Sequence, residues 1–219
     1  MVEAPAIRIA ARPSAEVDAV LAGIEDYALV CLTSPNGAAL LMEALDRGGR
    51  DARALAGATV AAIGPGTAAE LRRHGIAPDV VPERSVAEAL VEALGGVEVH
   101  GRRVLVARAS EARDVLPDAL AARGADVTVL PLYDTLAAPL SDDALRAAAE
   151  ADYVTFTSSS TVRFFMAGID GHFPASARVV SIGPVTSATA REAGLEVHVE
   201  AAQHDVDGVV AALLEDAAR

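Results

Sequence analysis

The chain has 219 residues, of which 52% are apolar, and its formal net charge at pH 7 is -13. This length and apolar content are enough for one large or two modest folded domains. The acidic balance argues against nucleic acid and against an anionic membrane surface as partners, because both favour basic protein faces. Neither a secretory leader nor an apolar run of about 18 residues is recognisable, so we expect a cytoplasmic protein.

The sequence predicts neither a reactive cysteine nor a metal centre. Its one cysteine, Cys31, lies in an apolar run. A free cysteine in such a run is usually buried, so we predict a strand residue in the core rather than a nucleophile. The five histidines are scattered and lack the spacing of metal ligands.

The first informative stretch is "DYALVCLTSPNG", which begins at Asp26. It predicts a buried strand that ends at Thr33 and Ser34, followed by a helix. The next is "VAAIGPGTAAELRRHG", residues 60–75, which predicts a strand, a break at Gly-Pro-Gly, and a helix that opens on Thr67. We leave open whether Thr67 only caps this helix or also faces a ligand.

The same stretch contains the pattern G-x-G-x-x-A, formed by Gly64, Gly66 and Ala69. Between a strand and a helix, this pattern is the fingerprint of a dinucleotide-binding turn. A single match is weak evidence, and it needs support from elsewhere in the chain.

Residues 102–139 predict a strand, a loop, a helix, a second strand and an extended exit. Arg108 ends the first of these strands, and Arg113 follows in the loop, so both side chains could reach the strand-end face; Arg113 is the more solvated of the two. Two prolines bracket Tyr133 in a segment that cannot be helical throughout, which indicates a crossing between domains. Tyr133 is either a core residue or a weak acid in a cleft.

The chain contains the same unit twice. "VVSIGPVTSATAREAGLEVHV", residues 179–199, reproduces the earlier stretch, and Gly183 follows Gly64 by 119 positions (183 − 64). The second glycine of the fingerprint becomes Val185, so the dinucleotide interpretation loses half its support. A strand ending in Thr157 and Ser158 precedes this second copy, as "DYALVCLTS" precedes the first.

Polar residues therefore follow four strands, and each is succeeded by a helix. They are Thr33, Ser34, Thr67, Thr157, Ser158 and Thr186. Open α/β sheets bind ligands at the carboxyl ends of their strands. The repeat predicts two facing α/β units around a cleft whose hydroxyls and helix N-termini suit carboxylates or phosphates.

In order and spacing, five pieces of the chain resemble the uroporphyrinogen-III synthase family. They are "LTSPNG", "AIGPGTAAELRRHGI", "ARASEARDVLPDALAARGADVTVLPLYDT", "TFTSSSTVRFF" and "SIGPVTSATAREAGL". The resemblance runs from about Ile24 to the end, and it identifies the chain as a member of that family. It implies two similar open parallel-sheet α/β domains, joined by a two-stranded β connector, with the ligand cleft between them.

Carried onto this sequence, the family's continuous domain spans residues 13–132, and the discontinuous domain combines residues 1–10 with 138–219. The connector would lie near residues 6–11 and 133–137. Family members usually begin with a further strand, ending in Thr-Arg-Pro, and a helix. "MVEAPAIRIAARP" instead reads as the second strand, so the first strand and helix of the discontinuous domain have no counterpart in this sequence.

By resemblance, the protein cyclises hydroxymethylbilane, with inversion of ring D and loss of water, to give uroporphyrinogen III in heme biosynthesis. The reaction implies no metal and no organic cofactor, and the enzyme's task is mainly to position the bilane. Tyr133 is the candidate that assists departure of the hydroxyl group. The expected substrate-binding residues are Thr33, Ser34, Gly64, Thr67, Arg108, Thr157, Ser158, Ser159, Gly183 and Thr186, with Arg108 as a charged clamp.

We expect a monomer whose partners are hydroxymethylbilane and the upstream bilane-forming enzyme. Two other interpretations stay open at this point. One is a nucleotide-dependent Rossmann protein, which the first Gly-Pro-Gly turn favours and its second copy opposes. The other is a non-catalytic two-domain protein, an inactive truncated homologue that binds a tetrapyrrole or another polyanion without turnover.

Overall fold

The computed structural model describes residues 2–170, 173–174 and 176–219. It divides the chain into two compact units. One unit is formed by Ile9–Asp134, and the other combines the residues up to Arg8 with Thr135–Arg219. Both units are built from strands that alternate with helices, and the predicted α/β class is confirmed.

The larger sheet of the described chain has five strands in the order β1-β5-β4-β2-β3. Its strands are β1 (Ile7–Ala11), β2 (Leu29–Leu32), β3 (Thr59–Ala62), β4 (Arg103–Ala109) and β5 (Asp126–Ala137). Its helices are α1 (Ser14–Leu21), α2 (Pro35–Arg47), α3 (Pro65–Arg73), α4 (Ala87–Ala93) and α5 (Val115–Ala122). The pairs β2–β3, β2–β4 and β4–β5 are parallel, so these strands end at the same edge of the sheet.

Helices cover both faces of this sheet. Residues of β2 alternate between two apolar clusters: Val30 and Leu32 pack with residues of α1, α2 and α3, whereas Leu29 and Cys31 pack with residues of α4 and α5. All four residues of β2 are fully buried, as a near-continuous apolar strand in a parallel sheet should be. Burial raises the pKa of the Cys31 thiol to about 12, and this confirms Cys31 as an inert core residue.

The second unit contains a three-stranded sheet in the order β6-β7-β8, and both of its strand pairs are parallel. Its strands are β6 (Tyr153–Phe156), β7 (Arg178–Ser181) and β8 (Val199–Glu200). Its helices are α6 (Asp142–Ala149), α7 (Ser159–Gly168), α8 (Pro184–Glu192) and α9 (Val206–Ala217). The repeated turn therefore joins β3 to α3 in one unit and β7 to α8 in the other.

The repeated turns begin their helices earlier than the sequence predicted. Helix α3 starts at Pro65 and helix α8 at Pro184, with Gly64 and Gly183 as the capping residues. Proline suits the first helical position, because its φ angle is already helical and the amide that it lacks would have no partner there. Thr67 and its counterpart Thr186 are consequently third residues of their helices, and the prediction that a helix opens on Thr67 was wrong.

Within the described ranges, no helix is long and apolar enough to cross a membrane.

Candidate functional site

In the larger unit, the residue that follows β2 is linked to β5 by a partly buried hydrogen bond between two hydroxyl groups. The Tyr133 hydroxyl donates to Ser34 Oγ over 2.8 Å, and Tyr133 is only 5% exposed. Ser34 caps helix α2, because its Oγ also accepts from the Gly37 amide at 2.9 Å. With two hydrogen bonds accepted, the Ser34 hydroxyl still has its own hydrogen to donate. The structure thus brings together two residues that the sequence named separately.

A β-bulge turns Tyr133 toward this serine. Ala107 and Ala109 lie two residues apart on β4, yet they pair with Leu130 and Tyr133, which lie three apart on β5. The extra residue reverses the alternation of β5, so Tyr133 joins the same apolar cluster as Leu130. A regular strand would place Tyr133 on the opposite face of the sheet.

The surroundings of Tyr133 keep its hydroxyl protonated. Burial raises the pKa of Tyr133 above its usual value, and the hydrogen bond to Ser34 offsets only part of that effect. The phenol is therefore a hydrogen-bond donor at neutral pH and in moderately alkaline solution. Gly37 allows this arrangement, because a methyl group on Gly37 would lie 3.0 Å from Ser34 Oγ and 3.9 Å from the Tyr133 ring.

Arg108, predicted as a charged clamp, is hydrogen-bonded to the loop that follows β4. Its guanidinium donates to the Arg113 carbonyl at 3.0 Å and to the Asp114 carboxylate at 2.7 Å, and the residue is 8% exposed. Its Nε has no hydrogen-bond partner among the described residues. A ligand carboxylate that approached the guanidinium NH2 groups would compete with Asp114, and the role of Arg108 as a charged clamp stays a prediction.

Arg113, the more exposed of the two arginines, forms a two-point ion pair with Glu88, with nitrogen–oxygen distances of 2.6 and 3.1 Å. This contact lowers the pKa of the Glu88 carboxyl group and links the loop after β4 to helix α4. The loop that follows β4 is therefore held by hydrogen bonds from Arg108, at the end of the strand, and from Arg113, within the loop.

Helix α3 begins without a capping side chain. Pro65 has no amide hydrogen, and the next amides, those of Gly66 and Thr67, meet no acceptor in the part of the chain that the structure describes. The Thr67 hydroxyl likewise makes no hydrogen bond there, although the residue is only 2% exposed. This turn collects hydrogen-bond donors at the positive end of a helix dipole, which suits an anionic group.

In the second unit, the serine side chains that follow β6 make their hydrogen bonds within the protein. Ser158 caps α7 by accepting from the Thr161 amide at 3.1 Å, and Thr161 Oγ1 accepts from the Ser158 amide in return. The neighbouring Ser159 hydroxyl donates to the Val185 carbonyl and accepts from Thr189, both on α8. Ser159 therefore joins two helices, whereas Thr157 before the cap is exposed.

The second Gly-Pro turn repeats the open arrangement of the first. Helix α8 has no side-chain cap, and the Val185 and Thr186 amides have no acceptor among residues 2–170, 173–174 and 176–219. Thr186 is 5% exposed, and its hydroxyl makes no hydrogen bond within those ranges. The four strand-end sites predicted from the sequence thus separate into two kinds. Ser34 and Ser158 cap their helices, whereas the two Gly-Pro turns stay open.

Sequence reasoning missed a buried polar chain behind the second turn. The hydroxyls of Ser181 and Ser187 lie 2.6 Å apart, and Ser187 donates to the Glu200 carboxylate. Both serines are fully buried. We call these three residues the serine–glutamate chain. The repeat could have revealed them, because these three polar residues align with the apolar residues Ala62, Ala68 and Val81 of the first copy.

Fold and site together define a two-unit α/β protein whose repeated turns present unpaired amides and threonine hydroxyls suited to anionic groups. A family model described as "Uroporphyrinogen-III synthase HemD" matches residues 1–211. The chain therefore belongs to the uroporphyrinogen-III synthase family. This assignment removes the dinucleotide interpretation of the first turn.

Curated relatives agree with the family match. The uroporphyrinogen-III synthase of Synechococcus elongatus is 32% identical over 225 residues, which are 97% of this chain and 84% of that protein. The porphyrin biosynthesis protein HemD of Ruminiclostridium josui is 30% identical over 222 residues, which cover 98% of this chain. The chain spans only 43% of the length of that second protein.

Solved structures agree with the fold. The uroporphyrinogen III synthase of Thermus thermophilus aligns with a TM-score of 0.70 and 22% identity, covering 98% of this chain and 86% of that one. The Helicobacter pylori uroporphyrinogen-III synthetase aligns with a TM-score of 0.68 and 19% identity, covering 100% of this chain and 96% of that one. At these identities the likeness concerns the fold alone.

Proposed function

We propose that this protein is a uroporphyrinogen-III synthase that converts hydroxymethylbilane into uroporphyrinogen III with loss of water. The observation that carries the proposal is the family match over nearly the whole chain. The two open Gly-Pro turns support it, because the substrate is a linear tetrapyrrole with eight carboxylates. We further propose that the protein works in the cytoplasm and receives its substrate from the bilane-forming enzyme.

The chemistry asks the protein mainly to fix the shape of the bilane. Unassisted closure joins the ends without inverting ring D, so the catalyst must favour attack at the substituted carbon of that ring. Holding several carboxylates at defined points restricts the bilane to the productive shape, which is catalysis by orientation. In this proposal, the Gly66 and Thr67 amides are carboxylate-binding groups of the first unit, and the Val185 and Thr186 amides are carboxylate-binding groups of the second.

Tyr133 and Ser34 are proposed to assist departure of the hydroxyl group. The leaving oxygen needs a proton, and Ser34 has a hydrogen to donate while it accepts from Tyr133. A proton given by Ser34 would be replaced from the Tyr133 phenol along the existing hydrogen bond. No nucleophile is needed, in keeping with the inert environment of Cys31.

The experiment that tests this function measures the ratio of type III to type I uroporphyrinogen formed from freshly prepared hydroxymethylbilane. Products are oxidised to porphyrins and separated by chromatography, and a sample without protein gives the type I background. We expect type III to predominate. Type I alone, from a sample shown to be folded by circular dichroism, would contradict the proposal and favour a non-catalytic tetrapyrrole-binding protein.

A further inference from the structure

In each copy of the repeat, one side chain packs directly against the glycine that caps the turn. A methyl group on Gly64 would lie 2.0 Å from Ser85 Oγ, and one on Gly183 would lie 3.0 Å from His204 Cδ2 and 3.3 Å from His204 Nε2. Ser85 and His204 are themselves 119 positions apart (204 − 85). We call them the turn-contact residues, because the fold brings both to the same place beside an open turn.

The His204 ring has no competing partner in the described part of the chain. Neither ring nitrogen makes a hydrogen bond there, and the residue is half-buried. The adjacent Asp205 does not engage the ring, because its two carboxylate oxygens accept from the Gly208 amide at 2.8 Å and from Gln203 at 2.7 Å. The imidazole edge that carries Nε2 is thus free beside Gly183.

Other donors at this turn also lack acceptors. Thr186 is more than nine-tenths buried with an unpaired hydroxyl, and the first amides of α8 are unpaired within the ranges described. The acidic group behind the turn, Glu200, already accepts from Ser187. An anion at this turn would therefore meet the positive end of a helix, the Thr186 hydroxyl and an imidazole.

We propose that His204 is a specificity-determining residue that donates a hydrogen bond from Nε2 to a substrate carboxylate at the α8 turn. This inference rests on the proposed function. A hydrogen bond to a carboxylate is charge-assisted, and the imidazole Nε2 carries its donor farther from the backbone than a serine hydroxyl does. Because the shorter Ser85 occupies the matching position at the α3 turn, the two turns differ in the reach of this donor, and we expect the α8 turn to hold its carboxylate more tightly.

The test replaces the histidine with the residue of the other copy, His204→Ser. KM and kcat for hydroxymethylbilane are measured separately, together with the dissociation constant of uroporphyrinogen III kept under reducing, anaerobic conditions. We expect the KM and the dissociation constant to rise by roughly tenfold or more, as for loss of one hydrogen bond to a charged group. The kcat and the thermal midpoint should change little, and His204→Gln, which keeps a donor, should recover part of the affinity.

The control is His74→Ser, which removes an exposed histidine at the far end of α3, where it contacts Glu70. This variant should leave both constants unchanged. Parental constants in a folded His204→Ser variant would overturn the role of His204. If the parent forms no type III product, the proposed function fails, and the dissociation constants of the parent and the variant still decide the inference.

Discussion

The two Gly-Pro turns share a backbone but differ in the side chains around it. In both, an amide at the strand preceding the turn bonds to a side chain 19 residues later: the Val60 amide bonds to Asp79 at 2.8 Å and the Val179 amide to His198 at 3.1 Å. A carboxylate and an imidazole thus accept the same backbone hydrogen bond at matching positions. Both copies have a glycine where a side chain packs against the turn and a proline at the first helical position, whereas the surrounding residues differ.

The largest expected difference between the turns concerns their cap glycines. We expect Gly64→Ala to lower the free energy of unfolding by about 2 kcal/mol, because the new methyl group would collide with the Ser85 side chain. Both glycines have extended φ angles that alanine tolerates, so strain in the backbone does not contribute. Gly183→Ala should cost less than half as much, because its nearest atom, on the His204 ring, is 3.0 Å away.

Urea and thermal unfolding of the two variants test this comparison. The double variant Gly64→Ala with Ser85→Gly is the control, because it removes the colliding side chain and should restore most of the lost stability. Equal losses of stability in Gly64→Ala and Gly183→Ala, or no recovery of stability in the double variant, would contradict this comparison. Contact with Ser85 would then not be the reason that alanine is destabilising at position 64.

A second difference concerns the serine caps. Ser34 accepts from Tyr133, whereas Ser158 is paired with Thr161 within its own helix. We expect Tyr133→Phe to lower kcat about tenfold, because the phenol proton can no longer replace the one donated by Ser34. KM should change less than kcat, since the ring and the cap remain.

The pH dependence of Tyr133 sharpens this prediction. Burial raises the pKa of Tyr133 above the usual tyrosine value. The phenol therefore keeps its proton at every pH below that usual value and loses it only at higher pH. The parent should therefore keep the Tyr133 contribution up to about pH 10, within the range in which the fold and substrate survive. Type III formation at equal rates by the parent and Tyr133→Phe would remove Tyr133 from the mechanism.

The sequence predicted those features of the site that depend on local chain signals. The Gly-Pro turns, the change from strand to helix after β2 and β6 and the buried Cys31 all follow from short-range patterns. The position of Tyr133 did not, because a one-residue bulge between β4 and β5 decides which face it occupies. The pairing of Arg108 with Asp114 was missed for a related reason: an arginine at a strand end is equally compatible with a ligand and with its own loop.

The serine–glutamate chain was missed because it joins residues of β7, α8 and β8 that only the fold brings together. Its two serines are buried and its glutamate is exposed, whereas the first copy of the repeat is apolar at all three positions. The corresponding residues of that copy are Ala62, Ala68 and Val81. Local sequence signals predict a small buried side chain at such positions, but they do not reveal which partner satisfies it.

The smallest expected difference between the turns comes from this chain. Ser187→Ala should lower the free energy of unfolding by about 1 kcal/mol, because the buried Ser181 hydroxyl loses its partner and Glu200 loses a donor. The triple variant Ser181→Ala, Ser187→Ala, Glu200→Val reproduces the apolar first copy. It should cost less than the single substitution, since removing all the partners leaves no buried polar group unsatisfied. Urea unfolding measures the stability of both variants. A triple variant less stable than Ser187→Ala would mean that the serine–glutamate chain stabilises the second turn more than apolar packing stabilises the first.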